Sequence, residues 1–452
     1  MVTTLWFEHG LTAAGWARDV RISVADGRIA RLETGVEAGG AARHGIAVPG
    51  LPNLHSHAFQ RAMAGLTEMR GPAGDSFWTW RELMYRFVER LGPEELEAVA
   101  ALAFAEMLER GFTRVGEFHY LHHDAGGRPF DDPAEMSARI AAAAQATGIG
   151  LTLLPVFYAH SGFGGAAPTA AQARFVHDAG GYARLVEAAR AAVRPLGDAV
   201  VGVAPHSLRA VTEDELRAVA GLGEGPVHIH IAEQVREVDD CLAWSGSRPV
   251  DWLLDRFEVG EAWCLVHATH MTPEETRRLA GSGAVAGLCP VTEANLGDGI
   301  FPADGYLAEG GRFGVGSDSN VRIDAAEELR MLEYSQRLGL RARNVLAGGE
   351  GRSTGGDLYR RALTGGAQAL GSAQTEGLAE GGPADIVALS PDHPDLAGRT
   401  GDRWLDSWVF AAGGAAVADV WRAGEHVVQG GRHRAREPIE ARYRQALARL
   451  VA

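Results

Sequence analysis

Short apolar runs alternate with amphipathic stretches along most of this chain. Eight runs between residues 47 and 320 have the length and the β-branched or aliphatic character of buried strands. They cover residues 47–54, 113–119, 150–158, 200–205, 227–231, 262–266, 284–288 and 312–316. Between most of them lie Ala/Leu/Glu/Arg-rich segments with helical spacing, among them 93–110, 133–147, 181–193, 212–222 and 273–280. Thr212 with Glu215 reads as a capping box, and Pro273 after Thr272 reads as a first-turn proline. Strand and helix alternating eight times predict an α/β chain folded as a (β/α)8 TIM-type barrel. Segments 325–340 and 356–370 read as closing helices.

The two ends have a different texture. Residues 3–33 and 377–434 are short β-like runs broken by turns, such as Asp26-Gly27 and Gly430-Gly431. Each is too small to fold alone, so both are expected to build one small β-sandwich domain. The predicted boundaries are 1–46 for its N-terminal part, 47–372 for the barrel, and 373–452 for its C-terminal part with a terminal helix. The Gly-rich stretch 348–356 has no Lys-Ser/Thr ending and no strand before it, so it reads as a connector.

Composition narrows the possible partners. The formal net charge is -15, with 58 acidic against 43 basic residues, which argues against nucleic acid or an anionic membrane surface. No run reaches the ~18 apolar residues of a membrane helix. The first ten residues lack the pattern of a signal peptide. Three isolated cysteines, Cys241, Cys264 and Cys289, suggest a reducing compartment, so a cytoplasmic location is expected. There is no lysine: every basic residue is arginine. That removes Schiff-base chemistry, a P-loop lysine and a carboxylated lysine bridging two metals. Any metal site here should hold one ion.

Five of the apolar runs carry or lead to residues able to bind a metal: His55 and His57, His206, His228 and His230, His267, and Asp318. In a parallel barrel the strand C-termini share one rim, so ligands far apart in sequence can meet there. Three His and one Asp around an open position make a catalytic zinc-type set. His55 and His57 are two residues apart and point to one side of an extended strand end. Spacing does not choose between His228 and His230. Glu233, just past the end of its strand, is placed for acid–base work. Asp318, in Gly316-Ser-Asp-Ser-Asn320, ends the last run.

Taken together, Pro49-Gly-Leu-Pro-Asn-Leu-His-Ser-His57, His228-Ile-His-Ile-Ala-Glu233, Leu265-Val-His267 and Gly316-Ser-Asp318 resemble the amidohydrolase superfamily, in its branch of mononuclear zinc deaminases. His55-Ser-His-Ala-Phe-Gln-Arg-Ala-Met63, Gly116-Glu-Phe-His-Tyr-Leu-His-His-Asp124, Pro205-His-Ser-Leu-Arg209 and Leu288-Cys-Pro-Val-Thr-Glu-Ala-Asn-Leu-Gly-Asp-Gly299 narrow the resemblance to the formimidoylglutamate deiminases. The resemblance implies zinc ligands His55, His57, His230 and Asp318, one Zn2+ per chain. It implies Glu233 as proton shuttle, His267 as the residue orienting the attacking water, Asp318 as its catalytic partner, and substrate contacts from Gln60, Arg81, Tyr120, His206 and Arg209.

The implied reaction is hydrolytic deimination of N-formimidoyl-L-glutamate to N-formyl-L-glutamate and ammonia, in histidine degradation, by a homodimer. Arginine forks suit the two carboxylates of such a substrate. Arg81 falls in a long aromatic loop, Phe77-Trp-Thr-Trp-Arg81, that could cover the site as a lid. His119, His122 and His123 read as pocket-lining or hydrogen-bonding residues. One rival reading is a related deaminase acting on a nucleobase or another amidine, which would need aromatic stacking and amide contacts in place of two arginines; the other is a non-catalytic binding or scaffold protein on the same barrel, against which the intact ligand positions and Glu233 argue.

Overall fold

Eight parallel strand positions follow one another in chain order in the computed structural model, which describes residues 3–71, 74–373 and 376–451. Leu51–Ser56, Phe112–His119, Gly150–Phe157 and Val200–Val201 form one parallel arc, with Ala204–Pro205 also paired to Gly150–Phe157. Val227–Ile231, Trp263–His267, Val285–Leu288 and Arg312–Val315 form the other. No unbroken ladder runs round the ring among the described residues. The arcs instead meet at two seams of isolated parallel bridges: Val203 with Val227 and Ser207 with His230 at one, Ser56 with Asp318 at the other.

The strands form here because both faces are covered. Every residue of Phe112–His119, Gly150–Phe157 and Val227–Ile231 is buried, the pattern of parallel sheet between helices. Inside the ring Leu54 fills space left by strand glycines. A Cβ on Gly287 would lie 3.0 Å from its side chain, and one on Gly314 would lie 2.4 Å from it. The helices start as their sequences indicate. Thr212 Oγ1 accepts from the Glu215 amide while Glu215 Oε2 accepts from the Thr212 amide, and Thr272 with Glu275 repeats the device before Pro273.

Two predicted strands are each divided in two. The run 47–54 passes from one layer to another: Arg43–Pro49 pairs with the terminal sheet, and Leu51–Ser56 opens the barrel. Gly50 marks the crossing, where a Cβ would lie 2.1 Å from the Thr113 side chain. The run 200–205 breaks at Gly202, where a Cβ would lie 2.4 Å from the Pro226 carbonyl oxygen.

As expected, the two ends of the chain together build one small β-unit, an eight-stranded hydrogen-bonded sheet. Its order is Arg432–His433, Glu425–Gln429, Val417–Arg422, Ile386–Leu389, Arg43–Pro49, Thr3–Thr12, Gly15–Ala25 and Arg28–Glu33. Arg43–Pro49 joins the halves, parallel to Thr3–Thr12 and antiparallel to Ile386–Leu389. Phe7, Ile22, Ile386 and Trp421 belong to its own apolar cluster. The closing helices are Ala325–Leu340 and Thr354–Ala369; the second ends against the barrel, where the Leu370 carbonyl accepts from Thr152 Oγ1 at 2.8 Å. The long aromatic loop is itself helical, over Phe77–Val88, with Ser76 and Thr79 forming a capping box. No described helix is long and apolar enough to cross a membrane.

Candidate active site

The strand ends at the seams bring the metal-capable residues together. His55 Nε2 lies 3.2 Å from His57 Nε2 and 3.1 Å from His230 Nε2. Asp318 Oδ1 is 3.3 Å from His57 Nε2 and 3.6 Å from His55 Nε2. His57 Nδ1 pairs with the Phe118 carbonyl at 2.8 Å and His230 Nδ1 with the His206 carbonyl at 3.0 Å, so each ring donates there and turns a lone pair inward from Nε2. Burial, reinforced by neighbouring rings, holds His55 and His230 well below the ordinary imidazole range; burial takes His57 down to about 3. Inward lone pairs this close repel unless a cation lies between them. Around a tetrahedral ion at about 2.0–2.1 Å, ligand nitrogens stand about 3.3 Å apart. The donor set therefore fits a metal, and His55, His57 and His230 meet as one metal-capable group. His228 does not join it: it lies deeper in the barrel, with Nε2 on the Ala369 carbonyl at 2.7 Å.

Backbone strain and close approach aim Asp318 at the histidine cluster. Asp318 has φ 43°, Asn320 φ 55° and His267 φ 69°, values that L-residues rarely adopt. Gly316 lets the last strand run against the first: a Cβ there would lie 2.6 Å from the His55 carbonyl oxygen. The backbones then exchange hydrogen bonds, from Asp318 N to His55 O and from His57 N to Asp318 O, both at 2.9 Å. Asn320 Nδ2 locks the turn by donating to Ser56 Oγ, His57 O and Asp318 O.

Beside this cluster stands an acid–imidazole group. His267 Nε2 is 3.8 Å from Glu233 Oε1 and 3.9 Å from Asp318 Oδ2, and its Nδ1 is 3.2 Å from Glu293 Oε1. Burial alone would lower the His267 pKa. The carboxylates of Glu233, Glu293 and Asp318 outweigh it and hold the ring at about 10. Asp318 is pushed up to about 7 by burial, with His267 pulling against Glu233 and Glu293.

A cleft opens over these groups. His57, His230, Glu233, His267 and Asp318 line its floor, and Gln60, Arg81, Tyr120, His206 and Arg209 line its walls. His55 lies beneath, fully buried. Gln60 Nε2 donates to Tyr120 Oη at 2.8 Å and its Oε1 has no partner among the described residues. Arg209 approaches Glu233 at 4.0 Å and Glu237 at 3.9 Å. Arg81 lies over Trp78 and Tyr85. Every residue to which the resemblance gives a site role lines this cleft, except His55, which is fully buried beneath it. His119, His122 and His123 are not among its lining residues; His122 and His123 pair with the carbonyls of Val156 and Val176, each at 2.9 Å.

The sequence reading passed over several neighbours. Glu293 buttresses His267. Glu237 accepts from the Ala232 and Glu233 amides, fixing the turn that carries Glu233. Their spacing held a signal: Glu237 is one helical turn beyond Glu233, and Glu293 lies in the quoted Thr-Glu-Ala-Asn segment. Cys289 lies with His267 and Asp318 in a second metal-capable group. Tyr85, Tyr158 and Phe175 give the cleft an aromatic wall that no periodicity announces.

Comparison with known proteins agrees with this geometry. Residues 46–427 match the model of the Amidohydrolase family, and residues 3–45 match that of the N-terminal domain of formimidoylglutamate deiminase HutF. The chain is 52% identical to the formimidoylglutamate deiminase of Pseudomonas aeruginosa, with 100% of each covered. It is 30% identical to the 8-oxoguanine deaminase of the same organism, over 98% of this chain and 96% of that one. A crystal structure of an amidohydrolase from Brucella melitensis superposes with TM-score 0.96 at 56% identity, covering 100% of both chains. An adenosine deaminase from Xanthomonas campestris with bound zinc shares the fold, with TM-score 0.81 at 22% identity over 99% of this chain and 98% of that one. Its family model, its relatives and its cleft agree: the chain belongs to the amidohydrolase family.

Proposed function

We propose that this chain is a zinc-dependent deiminase that hydrolyses N-formimidoyl-L-glutamate to N-formyl-L-glutamate and ammonia in histidine degradation. One observation carries the reading: two arginines, Arg81 and Arg209, face the same cleft as the metal-capable cluster and Glu233. A dicarboxylate amidine needs that combination, and the formimidoylglutamate deiminase of Pseudomonas aeruginosa is a full-length relative. A nucleobase would leave the Arg81 guanidinium facing the cleft without a carboxylate.

His55, His57, His230 and Asp318 would hold one zinc ion per chain. Zinc bound there supplies Lewis acidity, lowering the pKa of a coordinated water toward ~7. Glu233 takes a proton from the attacking water, whose oxygen bonds to the formimidoyl carbon. His267 and Asp318 flank that oxygen and fix its line of approach. Glu233 delivers that proton to the terminal nitrogen, then carries the remaining hydroxyl proton to the same nitrogen as the carbon–nitrogen bond breaks and ammonia leaves. The oxygen stays on carbon as the formyl group, so atoms and protons balance. Gln60, Tyr120 and His206 orient the amidine end, while Arg81 and Arg209 hold the carboxylates. In this reading the protein is a cytoplasmic homodimer whose barrel, 47–372, carries the chemistry, with 1–46 and 373–452 as the accessory sheet. The deciding experiment is ammonia release from N-formimidoyl-L-glutamate by the zinc-loaded protein. Release from adenine or guanine in its place would overturn the substrate assignment.

A further inference from the structure

Trp78 faces three guanidinium groups at once. Cζ of Arg81 and of Arg236 each lies 4.7 Å from its ring centroid, and Cζ of Arg209 lies 5.9 Å away. The three cations come from three places: Arg81 from the helix Phe77–Val88 that also carries Trp78, Arg209 from the loop after the fourth barrel strand, and Arg236 from the helix Val235–Ser245. Like charges do not gather without something to offset their repulsion. Arg209 has Glu233 and Glu237 near it, and Arg236 has Asp240 at 3.5 Å. Arg81 makes no ion pair with a carboxylate among the described residues; its guanidinium rests on Trp78 and, at 5.7 Å, on Tyr85. An indole face attracts a cation within about 6 Å of its centroid and does so without neutralising it. A carboxylate partner would hold an arginine just as well, but would then compete with a substrate carboxylate.

We propose that Trp78 is a specificity-determining positioning residue: its ring sets where the Arg81 and Arg209 guanidiniums stand, and so the separation of the two carboxylates that the cleft accepts. The proposal rests on the reading of Arg81 and Arg209 as carboxylate partners. The ring works as a ruler, since Arg81 and Arg209 both reach it and both line the cleft. A shorter diacid bound to one arginine would then fall short of the other.

The test compares N-formimidoyl-L-glutamate with N-formimidoyl-L-aspartate on the zinc-loaded wild type and on Trp78→Leu, Trp78→Phe, Arg81→Ala and Arg209→Ala. Trp78→Leu removes the ring but stays apolar; it should raise KM for the glutamate substrate about tenfold, keep kcat within about threefold, and lose most of the preference for glutamate over aspartate. Trp78→Phe keeps an aromatic face and should restore both. If Trp78→Leu loses its fold by circular dichroism, Trp78→Met takes its place under the same criteria. Unchanged KM and preference in the ringless variant, beside a lost preference in the arginine variants, would overturn the role of Trp78 alone. Normal kinetics in both arginine variants would overturn the carboxylate reading itself, and this proposal with it.

Discussion

Glu233 and Asp318 approach the same imidazole, His267 Nε2, from 3.8 and 3.9 Å, yet they are read as doing different work. Asp318 also reaches the histidine cluster; Glu233 does not, and is free to carry a proton. Glu233→Gln should therefore keep its metal and its substrate affinity while kcat falls at least ~10²-fold, the usual scale of acid–base catalysis. Turnover near the wild-type rate would remove Glu233 from the reaction. Arg209→Ala leaves a carboxylate poorly paired, at roughly 1.5–3 kcal/mol, or on the order of 10–200-fold in kcat/KM. The loss should shrink when the carboxylate that Arg209 pairs with, α or γ, is replaced by its amide in the assay; an equal loss for the diacid and for both monoamides would argue against charge reading. The residues legible in sequence were those placed by strand ends, such as His55 and Asp318. Glu293 and Trp78 were not, because what gives them meaning is contact with His267 and with arginines far away in the chain.

Among the elements, the strands were the readable part, since burial on both faces leaves an uninterrupted apolar run. Their breaks at Gly50 and Gly202 were hidden, because each depends on a neighbour from another segment, Thr113 or Pro226. The helix Phe77–Val88 read as a loop because Phe77-Trp-Thr-Trp80 crowds aromatic residues on all sides; the Ser76 and Thr79 cap was the local signal. The terminal β-runs announced a small β-unit from both ends; the order of its strands is settled by Arg43–Pro49 pairing on both edges. At the strand end that carries Asp318, one side chain holds the turn. Asn320→Ala strips donors from three acceptors and leaves Ser317 Oγ without Asn320 Oδ1, all buried. Stability should drop by about 2 kcal/mol or more in urea titration. Metal affinity should weaken alongside; a variant of wild-type stability and metal content would show that the network is dispensable.

For the whole molecule, the donor set ties the two arcs of the barrel together. A ligand that binds only the folded form stabilises it by mass action. Chelation should therefore abolish activity and lower Tm, and re-addition of zinc should restore both. Metal analysis of the active protein should return one tightly held zinc per chain, in keeping with a chain that has no lysine to bridge a second. Two tightly bound ions per active chain would defeat the mononuclear reading.

The seam between Ser56 and Asp318 also orders events in time. Asn53 and Ser317, hydrogen-bonded across it, are 264 positions apart. At about 5–20 residues per second, a ribosome needs roughly 13–50 s to travel that distance. Through that interval His55 and His57 exist as part of a nascent chain without the aspartate that completes their set. Barrel closure and the meeting of His55, His57 and Asp318 thus arrive together, late in synthesis, and a polypeptide released before residue 318 has neither.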